Sequence, residues 1–208
     1  LITALADAMM DSVPLLAITG QVPTAAIGSD AFQEVDVLGM SLSCTKHSYM
    51  VERAEDLAEV LQEAMHLAQS GRPGPVLVDI PKDIQMGAVN YHPWLAADDY
   101  KPELSQSELT KANELLSQAK KPLAYVGGGV QMADAQDELM QFLKATNMPA
   151  VSTLKALGSV TPDYAYNLGM LGMHGGQAAN LAVQECDLLV CIGARFDDRV
   201  TGNLAKFA

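Results

Sequence analysis

"AEDLAEVLQEAMHLAQSGRPGPVLVDIPKDIQ", residues 54–85, is the stretch that decides the fold. Leu57, Leu61, Ala64, Met65 and Ala68 share one face at helical spacing, so residues 54–70 are predicted to be an amphipathic helix. Glu55 and Asp56 stand in its first turn, where they complement the helix dipole, and Gly71 supplies a left-handed stop. Residues 75–80, "PVLVDI", are an apolar run without polar alternation, ended by Pro81. That is the pattern of a strand covered on both faces. A helix running directly into such a strand is a crossover unit, and it predicts an α/β architecture with parallel strands. Arg72 before the strand and Lys82 after it are left without a structural reason.

The pattern continues outward. Residues 1–12 read as a helix already under way, and 14–20, "PLLAITG", as a buried strand. Residues 32–40 read as a short helix and 47–51 as a second strand. Residues 86–104 lack periodicity and contain two prolines. They predict a linker at 91–104, separating a domain over 1–90 from another over 105–208. Ser105 and Glu108 have capping-box spacing ahead of a helix striped by Leu109, Ala112, Leu116 and Ala119. Strands then follow at 122–126, 149–152 and 187–192, with helices near 133–145 and 175–185 between them. This β-α-β-α-β order predicts a doubly wound sheet with helices on both faces.

The totals exclude several classes of function. There are 25 acidic against 13 basic side chains, net −12. The excess sits in residues 1–104, net −10, while residues 105–208 carry only −2. A chain this acidic is a poor partner for nucleic acid. No apolar run reaches the roughly 20 residues of a membrane span. Cys44, Cys186 and Cys191 are odd in number and form no CxxC pair. They read as small buried hydrophobes of a reducing compartment, which predicts a cytoplasmic location. The four histidines are scattered without metal-ligand spacing, so no metal site is predicted on this chain.

Four stretches have the residue types of a binding site, each with a plainer alternative. Gly127, Gly128 and Gly129 follow a strand and clear space for a phosphate or ring, or simply make a tight turn. In "GARFDDRV", residues 193–200, Arg195 and Arg199 can fork onto an anion, with Asp197 on a ribose hydroxyl or an arginine. A surface ion pair is the alternative. "LGMLGMHGG", residues 168–176, suits a loop along a flat ligand, or a core methionine beside a satisfied histidine. Phe32 and Gln33 offer a ring and a neutral amide, or a buried Phe and a solvated Gln. From these residues the chain is an α/β protein with an anionic, nucleotide-like ligand in its second half.

Six strings in order raise the specificity: "LITALADAMMDSVPLLAITGQVPTAAIGSDAFQEVDVLG", "GRPGPVLVDIPKDIQ", "YVGGGV", "TLKALG", "LGMLGMHG" and "ECDLLVCIGARFDDRVTG". Together they resemble the large catalytic subunits of the acetolactate synthase (acetohydroxyacid synthase) family of thiamine-diphosphate enzymes, over essentially all 208 residues. The resemblance implies decarboxylation of pyruvate and transfer of the two-carbon unit to a second 2-keto acid, pyruvate or 2-ketobutyrate. It implies thiamine diphosphate, Mg²⁺ and a bound FAD without net redox turnover. Residues 1–90 would be the later part of a pyrimidine-binding domain and 105–208 the first part of a central FAD-binding domain.

The same resemblance distributes roles. Gln33, beside Phe32, would lie near the thiazolium. Lys82 and Met173 would line the substrate entrance, and Arg199 would receive the second keto acid's carboxylate. FAD would take Arg72, Gly127, Gly128, Gly129, Thr153, Leu154, Leu171, Gly172, Met173, His174, Gly193, Ala194, Arg195, Asp197 and Val200. The cofactor-activating glutamate would lie upstream of Leu1, and the diphosphate and Mg²⁺ ligands downstream of Ala208. The family works as a homodimer, with a regulatory small subunit left open. The expectation is that these 208 residues alone have no synthase activity. Another thiamine-diphosphate carboligase or decarboxylase, or a non-catalytic nucleotide-binding remnant, remain the alternatives.

Overall fold

A computed structural model describes residues 1–89 and 104–208. The chain forms two compact units, Leu1–Pro102 and Glu103–Ala208. The linker expected at 91–104 lies, apart from Leu104, outside the described residues.

The first unit runs α1 (Ile2–Asp11), β1 (Leu15–Gln21), α2 (Val37–Ser41), β2 (His47–Met50), α3 (Leu57–Gln69), β3 (Pro75–Pro81) and α4 (Lys82–Gln85). All pairings are parallel, in the order β1-β3-β2, with Leu15 opposite Pro75 and His47 opposite Val76. β3 is therefore central, and all seven of its residues are buried. Val76, Val78 and Ile80 pack with Ala64 and Ala68 of α3. Leu77, on the opposite face, packs with Leu5 of α1, Ala17 and Cys44. The opening stretch is thus helix, turn and fully covered strand. Gly71 takes φ +55° after α3, a conformation costly for other residues. The Lys46 ammonium donates to the Leu67 and Ser70 carbonyls at the end of α3.

The second unit runs α5 (Gln106–Gln118), β4 (Pro122–Val126), α6 (Gly129–Met132), α7 (Gln136–Thr146), β5 (Ala150–Ser152), β6 (Asn167–Met170), α8 (Gln177–Glu185), β7 (Leu188–Ile192) and α9 (Asp198–Thr201). Its four parallel strands are ordered β6-β5-β4-β7. The chain starts in the middle, winds outward twice, and returns to the other side of β4. That reversal makes a doubly wound sheet and puts its switch point between β4 and β7. Ala124 and Val126 face Leu139 and Leu143 of α7, while Leu123 and Tyr125 face Ala179 and Val183 of α8. Helices cover both faces, as expected. The Ser105 hydroxyl accepts the Glu108 N–H, which is half of the predicted capping box.

Several local expectations fail, each for a physical reason. The helix expected over 32–40 is confined to Val37–Ser41. Upstream, the Glu34 carboxylate takes the Gly28 and Ala31 N–H groups and closes a loop instead, and Asp36 caps the helix by accepting from Gly39 N at 2.8 Å. β1 is an outer strand, so Ile18 is 59% exposed although its run reads as buried. β7 is outermost among the described strands, and Cys191 on it is exposed rather than buried; Cys186 is half-buried and Cys44 buried. Residues 168–170, the start of the stretch 168–176 that suits a loop, belong to β6 and pair with β5.

Candidate functional site

In the first unit the candidate residues gather where β1 and β3 end. Gln21 closes β1 and leads into the loop of Phe32 and Gln33, while Lys82 opens α4 directly after β3. The two ends are tied by Asp83, whose carboxylate accepts from Thr24 N (2.9 Å) and from the Thr24 hydroxyl. Those bonds, the hydroxyl first, hold the Asp83 carboxyl below its usual range. Phe32 is 89% exposed, so the plainer alternative of a buried ring fails. Gln33 is exposed too and sits at φ +64°, a left-handed conformation that costs a non-glycine residue on the order of 1–3 kcal/mol. Such a conformation persists only where the surroundings enforce it. Here Glu34 does so on one side: its carboxylate, lowered in pKa mainly by the Gly28 N–H and then by the Ala31 N–H, pins both to itself.

Arg72 lies before β3, away from this group. Its guanidinium donates to Ser12 Oγ (2.8 Å), Met9 O (3.2 Å) and Met10 O (3.1 Å). It thereby closes the carboxyl end of α1, whose orphan carbonyls and negative dipole end favour a cation.

In the second unit the loops after β4, β5 and β7 converge. Gly127 N–H donates to Ile192 O and Gly129 N–H to Gly193 O, both at 2.9 Å, while Thr153 N–H donates to Val126 O at 2.9 Å. A Cβ on Gly127 would stand 2.2 Å from Ala194 Cα and 2.3 Å from Gly193 O. On Gly129 it would meet Gly193 Cα at 2.8 Å. These glycines let two loops touch backbone to backbone at the switch point, a floor built of backbone. In the loop after β7, Arg195 pairs with Asp197 at 3.8 Å, and Asp197 caps α9 by accepting from Arg199 N at 3.0 Å. Leu154, after β5, is exposed.

A pocket of about 690 Å³ adjoins this edge, lined among others by Leu171, Gly172, Met173, Arg199 and Val200. Met173 N–H donates to Arg199 O at 2.8 Å, and the Arg199 guanidinium reaches the Met173 sulfur at 4.0 Å. Gly172, at φ +94°, leaves only 2.8 Å between a hypothetical Cβ and Arg199 O. Met173 is 60% exposed, so it is not the core methionine of the plainer alternative. His174 is exposed next to it.

Sequence reasoning missed the residues that hold these loops. Asn180 clamps Gly172 at both backbone groups, accepting from N at 2.8 Å and donating to O at 3.0 Å. Tyr125, fully buried, donates its hydroxyl to Arg195 O at 2.8 Å and meets Phe196 edge-on at 5.5 Å. Burial first, then the nearby Asp197 carboxylate, pushes its pKa up to about 12, so the hydroxyl stays a donor. Asp79 and Gln21 belong to the same class, and Asp79 did carry a signal, as the lone acid inside "PVLVDIP". Among the described residues no three His, Cys, Asp or Glu side chains converge as metal ligands, and no helix is long and apolar enough to cross a membrane.

Comparison with known proteins identifies the class. Residues 109–208, nearly all of the second unit, match the thiamine pyrophosphate enzyme central domain. The whole chain aligns with acetolactate synthase large subunits. It is 59% identical over 208 residues to the isozyme 2 large subunit of Escherichia coli, 48% over 212 to the large subunit of Corynebacterium glutamicum, and 46% over 209 to the isozyme 1 large subunit of Escherichia coli. Each alignment takes in all of this chain and respectively 38%, 34% and 37% of the relative. The chain is thus a homologue of a segment of acetolactate synthase large subunits, spanning little more than a third of their length.

Proposed function

We propose that this chain is the segment of an acetolactate synthase large subunit that joins the later part of a pyrimidine-binding domain, residues 1–90, to the first part of an FAD-binding central domain, residues 105–208. The full protein decarboxylates pyruvate and joins the two-carbon unit to a second 2-keto acid. The products are 2-acetolactate from pyruvate and 2-aceto-2-hydroxybutyrate from 2-ketobutyrate, precursors of the branched-chain amino acids. It works in the cytoplasm as a homodimer, and whether a regulatory small subunit joins it is left open. The segment alone is inactive.

The observation that carries this reading is the full-length alignment at 46–59% identity together with the meeting of Met173 and Arg199, 26 residues apart, in one pocket wall. Thiamine diphosphate, when bound, supplies the electron sink for decarboxylation. The chain's own residues do the rest. Gln33 presents a neutral amide that orients a keto-acid carbonyl without competing for protons. Lys82 draws the anionic substrate toward that loop. The Arg199 fork binds the second substrate's carboxylate, and Met173 beside it keeps water out.

FAD fits the second unit because the switch point offers a floor of bare backbone at Gly127, Gly129 and Gly193, with Gly128 beside the Lys155 side chain at its rim. Ala194, Arg195, Asp197, Thr153 and Leu154 rim it, and Leu171, Gly172, His174 and Val200 extend it toward the pocket. Arg72, in the first unit, binds a cofactor only by exchanging Ser12 Oγ and the Met9 and Met10 carbonyls for cofactor oxygens. No described residues fit Mg²⁺, and no step is assigned to it.

The test is product analysis with the full-length protein, pyruvate, thiamine diphosphate, Mg²⁺ and FAD. Formation of 2-acetolactate is expected. Release of acetaldehyde alone points to a decarboxylase, and absence of turnover to a binding remnant; either overturns the proposal.

A further inference from the structure

Asp79 is the only charged side chain among the described residues that is fully buried, at 0% exposure. It interrupts the apolar run of the central strand, where a Val or Leu would continue the core. No cation lies within ion-pair range of it among the described residues. Burying a carboxylate without a counter-ion is expensive, so the core gains nothing by having it there.

Its bonds point elsewhere. Oδ1 accepts from Thr19 Oγ1 at 2.7 Å, and Oδ2 accepts from Gln21 Nε2 at 3.0 Å. Gln21, itself 9% exposed, uses its whole amide. One N–H goes to Asp79, the other to Val35 O at 3.1 Å, and Oε1 accepts from Val22 N at 2.9 Å. A carboxylate can only accept, so it fixes which way the Gln21 amide faces. With the amide nitrogen toward Asp79, its second N–H reaches the Val35 carbonyl. A reversed amide would set two donors against each other at Val22 N and set two acceptor oxygens against each other at Val35, whose carbonyl would keep only the Val37 N–H at 2.9 Å and lose its tie to the sheet.

Val35 lies two residues past Gln33, whose φ of +64° needs enforcement. Glu34 tethers the loop toward Gly28 and Ala31, and Gln21 tethers it to the sheet. We propose that Asp79 is a positioning residue, which through Gln21 and the Val35 carbonyl holds the loop that presents Phe32 and Gln33 to the reaction. The proposal rests on Gln33 being the active-site amide of the reading above.

The experiment is a double-mutant cycle in the full-length protein with Asp79→Asn and Gln33→Ala, read by acetolactate formation and by amide hydrogen exchange. Asp79→Asn alone is expected to lower kcat on the order of 10–100-fold, the cost of a misplaced catalytic group. In the Gln33→Ala background it should change kcat by less than about twofold, because coupled residues are non-additive. Amides of residues 28–36 should exchange faster while those of β3 keep their protection. The same penalty in both backgrounds, or unchanged kcat and loop exchange, overturns the proposal. If Asp79→Asn does not fold, Gln21→Leu, which keeps the carboxylate and removes only the amide, must give the same non-additivity. If the unsubstituted protein makes no acetolactate, the functional reading fails, and loop exchange in Asp79→Asn still decides whether the tether exists.

Discussion

At the ends of β1 and β3, polar side chains hold the loop: Asp79 fixes Gln21, Gln21 holds Val35, Glu34 folds back on Gly28, and Asp83 takes Thr24. At the ends of β4 and β7, backbone touches backbone, because Gly127, Gly129 and Gly193 carry no side chain to intervene. Both sheets are parallel and, Arg72 apart, both put their candidate residues at the carboxyl ends of strands. They differ in what such an edge must present. A side-chain scaffold can hold a residue in a strained conformation, as it does Gln33. A glycine floor suits an extended ligand that must lie close along the chain.

The largest effect is expected where the glycine floor is filled. Gly127→Ala drives a Cβ into Ala194 Cα and the Gly193 carbonyl, backbone that cannot swing aside. It should cost about 3 kcal/mol in urea unfolding and abolish flavin retention by the full-length protein. Gly128→Ala meets only the Lys155 side chain, at 3.1 Å, and should cost less than about 1 kcal/mol. Equal costs would erase the distinction between floor and rim.

On the other side of the comparison, Asp79→Ala strands the Thr19 hydroxyl and one Gln21 N–H in the core. It should cost about 2 kcal/mol in the same unfolding measurement. A stabilised protein would show that the polar network is dispensable.

Tyr125→Phe sharpens the comparison, since it removes a buried side-chain anchor from the Arg195 loop. The loss should be about 1 kcal/mol. With a folded pKa raised to about 12, the tyrosine's contribution is complete below its ordinary value of 10.0 and disappears as pH rises toward 12. Ultraviolet titration should find Tyr125 and Tyr49 among the tyrosines titrating late, and Tyr125→Phe should remove one late component and leave that of Tyr49.

The smallest effect belongs to Glu34. Its carboxyl is held below the ordinary value of 4.5, so its tether persists above that value and is lost as pH falls through the lowered pKa. Exchange at Gly28 and Ala31 should accelerate there, and Glu34→Gln should blunt that dependence.

Much of the fold was legible because it rests on periodicity. Leu57 to Ala68 and the run 75–80 specify a helix and a covered strand wherever they are placed. Exposure at sheet margins was not legible, because Ile18 and Cys191 read like core residues until strand order makes β1 and β7 outer strands. Among candidate residues, the glycines and arginines after strands announced themselves by type. Their supports did not. Asn180 and Tyr125 act through contacts with Gly172 and Arg195, distant in sequence, which only the crossovers create. Gln33 was legible through its motif, while the left-handed backbone that distinguishes it depends on Glu34 and Gln21.

The most direct measurement of the functional account is the ratio of acetolactate to acetaldehyde made from pyruvate by the full-length protein with Arg199→Gln. If Arg199 receives the second keto acid, decarboxylation continues while carboligation fails, and acetaldehyde rises at the expense of acetolactate. A parallel fall of both products, or an unchanged ratio, would contradict the role given to the Met173–Arg199 pocket and the carboligase reading built on it.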